Sequence, residues 1–220
     1  IIGVISVVST KSIDKDLSNV QITNERLSLE KNIEIYFYQG VSDIRGFIAY
    51  GDTTFRDKCV YELNQVLKME KSLLEIASSE QKQEVQKLLD ITDFYNNGIV
   101  NDLIPAIEKR YKQKDAAAIQ AAQKEVEKIA GDLVPITGQL TDILRVLVTR
   151  NEKIFNDDME SADVNCHKVI NNSTVFSIIA LLAGAVMAFF ITRSIRNPIL
   201  AMVGGADKFA RGDFTGEIKV

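Results

Sequence analysis

Residues 169–192 form a run of 24 residues without a charge, and Arg193 and Arg196 follow at once. A helix rises about 1.5 Å per residue, so about 20 mostly apolar residues cross the hydrocarbon core of a bilayer. The run, strongly apolar over 175–191, meets that length. A chain with such a segment has two folding problems, one in water and one in lipid. Before the run lies a long, polar, helix-patterned region. After it comes a short basic tail.

Composition fits helices. Trp is absent, Pro occurs three times, and Ala, Leu, Lys, Glu and Gln are plentiful, which suits helices more than sheets. The net charge of -4, with no basic block, makes nucleic acid an unsuitable partner. The opening Ile1-Ile2-Gly3-Val4-Ile5-Ser6-Val7-Val8 is too short to span a membrane. It is expected to be the outer end of a first membrane helix, in a chain cut at both ends. Arg193, Arg196, Lys208 and Arg211 follow the uncharged run, whereas Asp157, Asp158, Glu160 and Asp163 precede it with only Lys153 and Lys168. The positive-inside rule then puts the tail in the cytoplasm.

Turn signals divide the polar region. Gly51-Asp52-Thr53 ends one long pattern, and Asp52 or Thr53 is suited to cap the next helix. Ser78 and Gln81 have the spacing of a capping box. Lys112 to Asp115 is a polar break. Gly131-Asp132 is another, with Pro135 in the first turn beyond it, where its missing N–H is harmless. The expected helices are 11–50, 53–77, 79–111, a short piece near 115–129, and 133 onward into the membrane. Gly98 and Pro105 predict a kink or local break in the third.

Apolar spacing predicts mutual packing. Phe37, Val41, Ile44 and Ile48 make one stripe, with Ile13, Leu17 and Val20 nearer the membrane. Leu133, Ile136, Leu140, Ile143 and Leu147 make another, which slips before Phe155, Met159, Ala162, Cys166 and Val169 resume it. The slip resembles a stutter. The expected fold is all-α: an antiparallel up-down four-helix bundle continued into a membrane helix and a coiled-coil helix. Its parts would be 1–8, the end of a first membrane helix; 9–173, an extracytoplasmic bundle; 174–192, a second membrane helix; and 193–220, a cytoplasmic coiled-coil segment.

Little in the chain suggests catalysis. Cys59 and Cys166 should lie too far apart along the bundle for a disulfide, and are expected to be packed free thiols, with redox sensing as the sharper reading. His167 adjoins Cys166, but adjacent helical residues face different ways. No phosphate loop, paired catalytic carboxylates or nucleophile–base arrangement stands out, so neither enzyme activity nor a cofactor or metal is expected. In the uncharged run, Ala180, Gly184 and Ala188 make a small-residue face suited to close helix packing. In the tail, Ile195, Ile199, Met202, Ala206 and Phe209 step by four and three, the spacing of a coiled-coil seam. Pro198 interrupts it near its start. Gly212 should end that helix, with Phe214 and Ile218 as later anchors.

The tail Ser194-Ile195-Arg196-Asn197-Pro198-Ile199, followed by Ala206-Asp207-Lys208-Phe209-Ala210-Arg211-Gly212-Asp213-Phe214, resembles the first helix and connector of a HAMP domain. The outer region resembles the sensory domain of methyl-accepting chemotaxis proteins, through Asp43-Ile44-Arg45-Gly46-Phe47-Ile48-Ala49-Tyr50-Gly51-Asp52. The resemblance implies a homodimeric, multi-pass receptor of a bacterial inner (plasma) membrane. It would bind a small-molecule ligand, or a ligand-loaded binding protein, outside. It would reach a cytoplasmic chemotaxis kinase and adaptor through a region beyond these residues. Arg193, Pro198 and Gly212 would belong to the relay.

The ligand residues are read from height along the helices. Tyr38, Gln39, Ser42 and Arg45 lie high on the first helix, and Thr137 and Thr141 at similar height on the last. An Arg among hydroxyls and an amide suits a carboxylate. For these residues the alternative is a solvated face or salt bridging between helices; for the chain, it is the input and relay region of a membrane sensor histidine kinase or cyclase, or a ligand-free structural membrane bundle.

Overall fold

The computed structural model describes residues 2–212, with side chains from Ser12 onward. No strand occurs among the described residues. The elements are Ile2–Tyr50 (α1), Thr53–Ile76 (α2), Lys82–Asn97 (α3), a π-helical segment Gly98–Leu103, Ile104–Lys112 (α4) and Ala116–Ala210 (α5). Ile1 and residues 213–220 lie outside the description, and with them the expected anchors Phe214 and Ile218. So do the side chains of the opening segment 1–8.

Local chemistry explains the turns. Gly51 has φ +68°, and its N–H donates to the Phe47 carbonyl at 2.9 Å. A Cβ there would fall 2.6 Å from the Tyr111 ring, so this turn needs glycine twice over. Asp52 caps α2 by accepting from the Thr54 N–H at 2.8 Å, as the sequence predicts. At the next turn the expected capping box takes another form. Backbone N–H groups of Gln81 and Lys82 donate to the Ser78 carbonyl, and the Ser78 hydroxyl donates to the Gln81 side-chain oxygen at 3.1 Å.

Two expected interruptions differ. The break in the third helix is a π-helical segment, closed by the Ile104 N–H donating to the Ile99 carbonyl. Pro105 comes next, and a widened turn relieves its ring against the preceding carbonyls. By contrast, no break occurs at Gly131-Asp132, because α5 runs through both. Pro135 is therefore inside a helix. It and Gly131 are both exposed, so water can reach the carbonyl that Pro135 leaves without a donor. The helix likewise continues through Pro198 and ends with a turn at Arg211 and Gly212, where φ is +83°.

The chain divides into two compact units: residues 14–162, and residues 1–13 with 163–220. Within 14–162 successive stretches run antiparallel: α1 against α2, α2 against the continuous line of α3, the π-helical segment and α4, and that line against the first part of α5. As numbers rise on α1 they fall on α2: Arg26 meets Ile76, Gly40 meets Leu63 and Gly46 meets Phe55. Arg56 with Glu108, and Glu70 with Thr92, show the same between α2 and the α3–α4 line, and Gly98 against Leu133, with Lys109 against Glu125, show it between that line and α5. Thr23 with Asp158, and Glu30 with Asn151, bring α1 against α5. Phe37, Leu63, Leu88, Leu103, Ile107, Leu140, Leu144 and Leu147 fill a shared core with almost no exposure.

The predicted stripes are partly right. Phe37, Val41 and Ile44 are buried, but Leu17 is 62% exposed. Below Phe37 the inward positions of α1 are Thr23, Leu27, Glu30 and Ile33, an alternation of polar and apolar that hydropathy does not reveal. The slip in the last stripe falls at Asn151, also buried.

In the other unit, residues 163–210 of α5 include a window of mean hydropathy 2.5 with none of it buried. By length and composition this helix is able to cross a membrane.

Candidate functional site

The core of residues 14–162 carries a polar chain that crosses it. Asn151 on α5 donates to Glu30 on α1 at 2.6 Å. The Gln81 amide donates to Asn151 at 2.8 Å, and Ser78 in turn donates to Gln81. Glu30 is 1% exposed, and its second carboxyl oxygen is buried without a partner. Burial pushes the Glu30 carboxyl up to about 7, against the opposing pull of the Asn151 hydrogen bond, Arg150 and Arg26. Arg150 is held at the rim by Glu84 on α3.

A second buried carboxyl lies between α2 and α3. Thr92 donates to Glu70 at 2.7 Å. Glu70 is 0% exposed, and its other oxygen is also buried and unpartnered. Burial pushes this carboxyl up to about 8, with only the Thr92 hydrogen bond working the other way. A third carboxyl, Glu62, is half-buried on α2 beside Asp43 on α1. Burial raises it first and the neighbouring Asp43 charge second, while Lys58 opposes both.

The expected ligand residues occupy two settings. Tyr38, Gln39, Ser42 and Arg45 are all exposed on α1, and Tyr38, Ser42 and Arg45 follow one helical face. Thr137 and Thr141 on α5 are half-buried, and each hydroxyl donates to the carbonyl one turn back, at 3.1 and 2.9 Å. The link between the two sets is indirect. Buried Tyr95 on α3 is hydrogen-bonded to Thr137 and lies within electrostatic reach of Arg45. Its ring also meets that of Phe37, with centroids 5.6 Å apart.

An open groove lies elsewhere, beside the π-helical segment. Gly98, Leu133 and Ile136 form its floor, and Phe94, Asn101 and Asp132 its rim, around a space of about 450 Å³. A Cβ on Gly98 would come 2.9 Å from Leu133, so the π-helical segment and α5 approach closely there.

Both cysteines are free, Cys59 buried and Cys166 half-buried. Burial pushes the Cys59 thiol up to about 12, with Glu62 and Asp43 adding to it. A thiol so held stays protonated and unreactive, so Cys59 is unsuited to the redox reading. His167 lies 3.7 Å from Asp163 on the same exposed face. No cluster able to hold a metal occurs among the described residues. Ala180, Gly184, Ala188 and Arg193 are exposed, while Pro198 is half-buried.

Sequence reasoning missed Glu30, Glu70 and Asn151. The available signal was positional: each falls on the inward step of its own helix, between apolar residues three or four away. The chain matches no protein-family model, no curated protein and no solved structure.

Proposed function

We propose that this chain is the input and relay region of a transmembrane chemoreceptor, with residues 14–162 as an up-down four-helix sensory bundle outside the cytoplasm. The observation that carries the reading is a single helix, α5, which holds the core-facing Leu133–Leu147 positions, the uncharged run and the basic tail. A passive anchor would need only the uncharged run. The antiparallel order of contacts within residues 14–162 supports a bundle. The exposed positions Ile195, Ile199 and Met202 support a helix face suited to pairing, as the first helix of a HAMP domain would pair in a homodimer. The turn at Gly212 supports the connector.

In this mechanism a stimulus favours one of two arrangements of the bundle. A few kcal/mol of differential affinity is enough to shift such an equilibrium. On this reading α5, one helix from the core-facing positions through the uncharged run, carries the displacement toward the tail. The HAMP helix then hands it to a kinase-controlling module. An excess of Lys and Arg after the run argues for a cytoplasmic tail.

The test is a fusion. Residues 1–220, joined through their tail to the signalling module of an established chemoreceptor, should make kinase activity depend on the outside medium. Activity that stays constant across a panel of acids, amines, sugars and pH values would overturn the reading.

A further inference from the structure

Two of the carboxyl groups described above have no role in that relay, yet they occupy positions that a core normally gives to leucine. A fully buried carboxylate costs several kcal/mol unless a cation or several donors compensate it. Here the compensation is slight. Glu70 has one neutral donor, Thr92, and no charged side chain among the described residues acts to offset its burial. Glu30 has one neutral donor, Asn151. The charges that face Glu30 are Arg26 on its own helix, Arg150 on α5 and Glu84 on α3. Arg26 is engaged with the Ile76 carbonyl at the end of α2, and Arg150 with Glu84. In each carboxyl one oxygen accepts a hydrogen bond and the other is buried without a hydrogen-bond partner. The oxygen without a donor is the one that suits a proton.

We propose that Glu30 and Glu70 are two proton-binding sites inside the packed core, neutral while the helices are closed around them and linked to that packing. The proton comes from solvent and binds the second oxygen, which turns an uncompensated buried carboxylate into a neutral acid. Release of the proton leaves a charge that the apolar surroundings cannot stabilise. The helices nearest it then loosen to admit water. For Glu30 these are α1, α5 and the α2–α3 turn; for Glu70 they are α2 and α3. Because the two sites touch all the helices of this unit except α4, proton binding acts on the core as a whole. The inference concerns residues 14–162 alone and holds whether or not the chain is a receptor.

The direction in pH follows from linkage. Both groups are raised from an ordinary value of 4.5, to about 7 for Glu30 and about 8 for Glu70. The packed state therefore holds protons that the unfolded chain releases. Their stabilising contribution is complete below about pH 4.5 and is lost as pH rises through about 7 and then about 8.

Thermal unfolding of the full chain in lipid nanodiscs, followed from about pH 5 to about pH 9, tests this. The wild-type Tm should fall across that range. The double variant Glu30→Gln/Glu70→Gln, which keeps the acceptor oxygens, should lose more than half of the fall and melt higher than wild type at the alkaline end. A fall of the same size in the double variant would overturn the proposal, as would a flat wild-type profile. Infrared difference spectra of the wild type, with isotope-labelled glutamate, supply a readout independent of any variant. A protonated-carboxyl band should be present near pH 6 and gone near pH 9; its absence at the acid end would also overturn the proposal.

Discussion

Two stretches of this chain place their apolar side chains in opposite ways. Within residues 14–162, Phe37, Leu63 and Leu140 are at most 1% exposed, while over 175–191 Leu181 is 75% exposed and Phe190 63%. The first stretch even draws carboxyl groups inside, at Glu30 and Glu70. The second keeps every charge out. One helix, α5, takes part in both. A 3.6-residue period alone cannot tell these environments apart. The difference lies in what the outward face must meet: water in one stretch and, on the reading proposed here, lipid in the other.

The same substitution made in both stretches should have different consequences. Leu140→Ala should lower stability by about 2–5 kcal/mol, because a fully enclosed side chain leaves a cavity. Leu182→Ala should leave the unfolding of the core unchanged. Equal losses in chemical denaturation would mean that the two stretches are not distinct. A charge sharpens the contrast. Leu182→Arg should cost about 2.5–3.5 kcal/mol of membrane insertion, read as protein extracted from membranes at alkaline pH. Val134→Arg, at an exposed position of the same helix, should change stability by no more than about 0.5 kcal/mol.

Smaller effects probe the turns and the surface. Gly51→Ala puts a side chain in a left-handed position and against Tyr111, whose hydroxyl is tied to the Ile48 carbonyl. It should cost about 1–3 kcal/mol in the same denaturation assay. Arg145→Ala removes an exposed pair with Asp142, and its Tm should match wild type within error, since such pairs contribute little.

The sequence was most readable where one signal had one meaning. The Gly51-Asp52 turn, the core stripe around Phe37 and Ile44, the π-helical disturbance between Gly98 and Pro105, and the all-α class follow from residue chemistry close in sequence. Gly131-Asp132 misled because Gly and Asp weaken a helix without being able to end it when both flanks pack. The stripe at Leu17 misled because apolar residues there suggested a core that actually runs through Thr23, Leu27 and Glu30. The polar chain from Glu30 through Asn151 to Gln81 joins residues far apart in sequence. No local pattern announces it, although the slip in the α5 stripe at Asn151 marks its place. The expected ligand residues on α1 and α5 rest on height along the helices and on donor chemistry. Height does not say which way a side chain turns, and the Tyr38–Arg45 face is exposed while Thr137 and Thr141 bond back to their own helix.

The function proposed here requires residues 169–192 of α5 to cross a membrane, with residues 14–162 on the outer side. Single cysteines placed at exposed Gln139 and exposed Lys208, in a background of Cys59→Ala and Cys166→Ala, test this directly. A membrane-impermeant maleimide added to intact cells should label Gln139→Cys at once and Lys208→Cys only after the membrane is opened. Labelling of both positions in intact cells, or of Lys208→Cys alone, would contradict it.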